Sequence, residues 1–97
     1  MKNIKFNEIK IEGNWVADGN EIKGDDTSKR IEWLIRNKLK EVGVSKKYGA
    51  WETLYVDPND GRYWVRIFPK SHLHGGGPPT LENVSKDKAH RNFKFSE

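Results

Sequence analysis

The sequence predicts an α+β fold: an antiparallel β-sheet of about four to six strands packed against one main α-helix, with a short C-terminal helix. Three observations predict it. Two apolar-aromatic runs, Trp51 to Val56 and Tyr63 to Phe68, flank Asp57-Pro58-Asn59-Asp60-Gly61, a five-residue stretch of turn formers. Pro58 pre-sets φ for the first corner, Asn59 and Asp60 bond back to the backbone, and Gly61 supplies a positive-φ residue. Between Thr27 and Val42, the residues Ile31, Leu34, Ile35, Leu39 and Val42 recur at helical spacing. Short apolar runs punctuated by Gly, Pro, Asn and Asp make up most of the remainder.

In chain order, Ile4, Phe6, Ile9 and Ile11 alternate with a slip at Asn7-Glu8, which predicts a bulged strand or two short pieces. Trp15-Val16-Ala17 faces Glu21-Ile22-Lys23 across Asp18-Gly19-Asn20, a second hairpin. Gly24-Asp25-Asp26-Thr27-Ser28 starts the helix, with N-cap candidates and carboxylates where the helix dipole favours them. Gly43 is the expected helix stop, and residues 45–49 link to the central hairpin. Trp33 lies off the apolar stripe, at the margin of the core. Pro69 closes the second arm of that hairpin, because it has no N–H for a ladder. Gly75-Gly76-Gly77-Pro78-Pro79, led by His72 and His74, reads as a constrained loop. Thr80 to Val84 is a short edge strand or extended segment. Ser85 caps helical turns from Lys86 to about Asn92, and Phe93 and Phe95 follow.

A length of 97 residues predicts a single domain, residues 1–97, that buries roughly two-thirds of its unfolded surface. Mean hydropathy is low at −0.92, yet 11% of residues are aromatic, so a few large side chains supply much of the core. The absence of cysteine excludes disulfides and thiolate metal sites. No segment has a signal-peptide h-region or the length of a membrane span, which leaves the cytoplasm as the expected location and no membrane partner. The net charge of +4 collects on the helix, in Lys29, Arg30, Arg36, Lys38 and Lys40, and continues into Lys46 and Lys47. Such a face serves solubility or an anionic partner.

Catalytic chemistry finds little support. His72 and His74 would share a strand face and could hold a metal with His90 or Glu82, but no second ligand motif accompanies them. The glycine run lacks the Lys-Ser/Thr of a phosphate loop, and no cysteine or Gly-x-Ser-x-Gly elbow offers a nucleophile. No catalytic residue, cofactor or metal is assigned. Arg62-Tyr63-Trp64-Val65-Arg66-Ile67-Phe68 could present a stacking platform for single-stranded nucleic acid if the Trp64 face is the outer one, and a small basic nucleic-acid-binding module is the alternative reading. Third comes an RNase-like or metal-dependent enzyme using His72, His74 and His90.

Gly13 to Trp15, Lys29 to Ile35, Trp51 to Trp64 and His74 to Leu81, in that order, resemble the immunity protein 27 family, with the likeness extending from about Gly13 to Phe93. The resemblance implies a protein that protects its own bacterium from a polymorphic toxin, including those of contact-dependent growth inhibition. It would bind the cognate toxin C-terminal domain in a one-to-one complex and block its active site, with a nuclease, and an RNase first, as the expected toxin. Val65 stands where the family pattern tends to Glu, and His72 or Leu73 where it tends to an acid, so simple mimicry of a nucleic-acid backbone is not implied.

Complementarity to a cationic nuclease cleft selects acids in or near turns. The expected toxin-binding residues are Asp25, Asp26, Glu52, Asp57, Asp60, Arg62, Tyr63 and Glu82, with Asp18 and Glu21 as further acids. The basic helix points instead to an acidic toxin surface, and the two readings predict different faces. Trp51, Leu54, Tyr55, Gly61, Trp64, Gly75, Gly76, Gly77 and Pro78 are assigned to the scaffold.

Overall fold

The computed structural model describes residues 1–70 and 77–96. The chain runs β1 (Lys10–Glu12), β2 (Trp15–Asp18), β3 (Glu21–Gly24), α1 (Asp26–Asn37), β4 (Lys40–Ser45), β5 (Gly49–Val56), β6 (Tyr63–Ile67), β7 (Thr80–Val84), α2 (Lys86–Asn92) and β8 (Phe93–Phe95). Six strands form an antiparallel sheet in the order β1-β7-β6-β5-β4-β8, and β2 pairs with β3 alone. The fold is α+β, as the sequence predicts, with one main helix and a short C-terminal one.

The β5–β6 hairpin sits at the centre of the sheet. Its turn closes with Asp57 N–H donating to Arg62 O at 2.9 Å and Gly61 N–H to Asp57 O at 2.7 Å, and Gly61 takes φ +78°. Tyr55 pairs with Trp64 and Leu54 with Val65. Successive side chains alternate, so these two pairs point to opposite faces. Under α1, Tyr55 and Trp64 pack with Ile11, Ile31, Leu34, Leu39 and Leu81. On the other face, Leu54 and Val65 pack with Val84, and with Ala89 and Phe93 from α2 and β8.

Both faces of β6 are therefore filled. Trp64 is 0% exposed and Val65 3%, which corrects the stacking-platform reading: the indole that would receive a base lies inside the core. The sheet face away from α1 is partly closed by α2.

The Asp25 side chain accepts Ser28 N–H at 2.7 Å and caps α1. The helix ends at Asn37 rather than Val42, where Lys38 N–H and Leu39 N–H both donate to Leu34 O at 2.8 Å. Leu39 still reaches the core, but Val42 belongs to β4, which pairs with β5 on one side and β8 on the other. Two ladders with residues distant in sequence outweigh the helical spacing. A register shift between Glu41 and Gly43 turns Val42 into the second cluster. Gly43 does not stop the helix; a Cβ there would meet the Lys94 carbonyl, so the close approach of β8 explains it.

Residues 45–49 make the β4–β5 turn, not a helix-to-hairpin linker. The Ser45 hydroxyl accepts Lys47 N–H at 3.2 Å and Tyr48 N–H at 3.0 Å. In the N-terminal segment only Lys10–Glu12 is strand. Thr80–Val84 lies between β6 and β1, inside the sheet rather than at its edge. Trp33 is half-buried against the first cluster, with Lys38 Nζ 5.6 Å from its ring centre. Ser85 caps α2 as expected, its hydroxyl accepting Lys88 N–H at 3.1 Å. His72, His74, Gly75 and Gly76 lie outside the described residues. Among those described, no group of three or more His, Cys, Asp or Glu could hold a metal, and no helix is long and apolar enough to cross a membrane.

Candidate functional site

The structure distributes the eight sequence-selected residues over three places. Asp57, Asp60 and Arg62 share the β5–β6 turn, and all three are engaged internally. Asp57 is 7% exposed, and its carboxylate accepts Asn59 N–H at 2.9 Å. The Asp60 carboxylate accepts Arg62 N–H at 3.0 Å and Arg62 Nε at 2.7 Å. Burial pushes the Asp60 carboxyl up, but these bonds outweigh it and hold the group below its ordinary value. Arg62 also donates from Nη1 to Glu8 O at 2.7 Å and from Nη2 to Lys5 O at 3.1 Å, and lies 5.1 Å over the Trp64 ring.

A second arginine completes this clasp. Arg30 on α1 makes a two-pronged pair with Glu8, Nη1 to Oε2 at 2.9 Å and Nη2 to Oε1 at 2.7 Å, and also donates to Lys2 O and Asn3 O. The Arg30 guanidinium lowers the Glu8 carboxyl to about 2 against the opposing pull of burial. Arg62 thus fastens the turn end of the hairpin, and Arg30 fastens α1, to the N-terminal segment.

Asp25 and Asp26 stand at the N-terminus of α1. Asp25 is half-buried in its cap, and its N–H donates to Asn14 O at 2.8 Å. Its burial raises the carboxyl, yet hydrogen bonds from Ser28 and neighbouring backbone bring it below its usual value. Asp26 is exposed in the first helical turn, where the dipole accounts for it.

Glu52, Tyr63 and Glu82 are brought to one face of the sheet, the face that carries α2. Glu82 pairs with Val65 and Tyr63 with Val84, and Glu52 falls beside Ile67 in the register that pairs Thr53 with Arg66. Tyr63 is part of the packing: its ring meets His90 edge-on at 5.9 Å and Phe95 at 6.0 Å, and His90 stacks on Phe95 at 4.7 Å. Glu52 and Glu82 are half-buried and have no ion pair or side-chain hydrogen bond among the described residues. They border a trough of about 170 Å³ floored by Val65 and Ile67 and walled by Lys88 and Phe93.

A larger cleft of about 490 Å³ adjoins the trough, with Glu52 and Ile67 lining both. Tyr48, Trp51, Phe68 and Pro69 form the rest of it, at the end of the hairpin away from the turn. Trp51 is 60% exposed and Tyr48 51%, and Trp51 meets Phe68 edge-on at 5.9 Å. This corrects the scaffold assignment of Trp51. The sequence signal was the sudden density of aromatics at 48, 51 and 68 around that end.

Together these features define a small α+β protein with an exposed aromatic cleft beside two half-buried carboxylates that have no ion pair among the described residues. The model of the Immunity protein 27 family matches residues 17–85, and the chain belongs to that family. Comparison with curated proteins and with solved structures gave no match.

Proposed function

We propose that this chain, acting as one domain over residues 1–97 in the cytoplasm, neutralises the toxin domain of its own system by binding it one to one and covering its active site. No turnover by the immunity protein is involved. The observation that carries the reading is that solvent-exposed Trp51 and Tyr48 line a cleft next to the trough bordered by Glu52 and Glu82, in a chain of this family. Exposed aromatics supply desolvation energy at an interface, and carboxylates without partners complement a cationic cleft. A nuclease has such a cleft where it holds phosphates, which favours an RNase as the target. The same carboxylates oppose direct binding of nucleic acid.

The test is co-purification with the toxin domain encoded beside this chain, followed by titration of RNA cleavage. A stable complex with activity extinguished at equimolar protein is expected. No complex, with the chain alone retaining labelled RNA at low salt, would establish nucleic-acid binding instead.

A further inference from the structure

We infer that the cleft and the trough together read one extended segment of the toxin, in which an apolar side chain enters the cleft against Trp51 and a neighbouring lysine or arginine lies over Val65 between Glu52 and Glu82. This rests on the reading of the chain as a toxin-binding immunity protein and names the chemistry of what it grips.

The two hollows differ in what they accept. In the cleft, the rings flanking Trp51 already have cations of their own: Lys47 Nζ lies 5.2 Å from the Tyr48 centroid, and the Arg66 guanidinium carbon 5.5 Å from that of Phe68. A further cation would be repelled and would find those ring faces in use. An anion would meet the Glu52 carboxylate on the shared wall. A neutral aliphatic or aromatic group meets neither obstacle and gains the apolar area of Trp51, Ile67 and Pro69.

The trough has the opposite character. Glu52 on β5, level with Ile67, and Glu82 on β7, level with Val65, flank β6 on a diagonal, two strand spacings across and two residues along, roughly 12 Å apart. Val65, 3% exposed, is the apolar floor between them. Lys88 on the α2 wall brings one positive charge against the two carboxylates, so the trough stays net negative. A lysine or arginine laid over Val65 covers the floor with its methylene stem and presents its head to both acids. Glu52 and Ile67 line both hollows, which puts the two side by side and within reach of one segment.

The experiment is calorimetric titration of the catalytically inactivated toxin domain into the immunity protein across a salt series. The proteins compared are wild type, Trp51→Ala, the double variant Glu52→Gln/Glu82→Gln, and Lys29→Ala on the far face of α1. Thermal melts establish that each is folded. Trp51→Ala is expected to lose about 30-fold in affinity with an unchanged salt dependence. The double glutamine variant is expected to lose about 10-fold and to flatten the dependence of Kd on salt. Lys29→Ala should match wild type. Wild-type affinity in both site variants would overturn this inference while leaving neutralisation standing. Loss in Trp51→Ala with a salt dependence undiminished in the glutamine variant would overturn the basic half of the segment. Failure of the wild-type protein to bind at all would remove the functional reading itself.

Discussion

The two ends of the central hairpin are built from similar residues and put to opposite uses. At the turn end, Asp57, Asp60 and Arg62 are consumed by the fold, bonded to one another and to the N-terminal segment. At the other end, Trp51 and Tyr48 stay on the surface, and Glu52 has no ion pair or side-chain hydrogen bond among the described residues. A charged or aromatic residue is therefore informative about function only once its internal partners are known. Charge alone would rank Asp60 and Glu52 equally; the structure separates them.

The sharpest contrast lies between the two tryptophans of this hairpin. Trp64→Ala should cost about 3–5 kcal/mol of stability, read by urea unfolding, because it empties a fully buried site under α1. Trp51→Ala should shift the same curve by less than about 0.5 kcal/mol, since its site is exposed. Equal losses would show the cleft to be core after all. Next in size, Arg62→Ala should cost about 2 kcal/mol, as it strands the Asp60 carboxylate and releases the Glu8 and Lys5 carbonyls.

Acid should loosen the clasped end and the cap of α1. Glu8 falls from 4.5 to about 2 in the folded protein, so the stability it contributes is present above pH 4.5 and disappears as pH drops toward 2. With partial exposure taken into account, that amounts to about 2 kcal/mol, and Asp25 and Asp60 shift in the same direction. Denaturant midpoints between pH 6 and 2 should decline less steeply in Glu8→Gln than in wild type. The smallest paired effect concerns the turns. Gly61 and Gly49 sit at φ +78° and +60° with open space where a Cβ would go. Alanine at either should cost about 1 kcal/mol through backbone strain alone. Unequal costs in thermal melts would reveal a side-chain contact at one end.

What the sequence disclosed follows the range of the interactions involved. The turn at 57–61, the hairpin around Gly19, and the caps at Asp25 and Ser85 are set by neighbours a few residues apart, and each was legible. The end of α1 was not, because Leu39 and Val42 fit a helical stripe and only pairing with β5 and β8 makes Lys40–Ser45 a strand. The N-terminal segment misled for the same reason: Arg30 and Arg62 catch carbonyls of Lys2, Asn3, Lys5 and Glu8 from far along the chain. Of the selected acids, Glu52 and Glu82 could be placed on one face only through the β5-β6-β7 register. Trp51 was assigned to the scaffold because packing is reason enough for an aromatic on a central strand, and only its exposure separates it from Trp64.

The main sheet is bounded by two strands of only three residues, β1 and β8, bearing Lys10 and Glu12 on one side and Lys94 on the other. Brief, charged borders of this kind give a second copy little main chain to zip onto. Open sheet borders promote aggregation as concentration rises, and blunt borders of this kind keep copies of the chain dispersed.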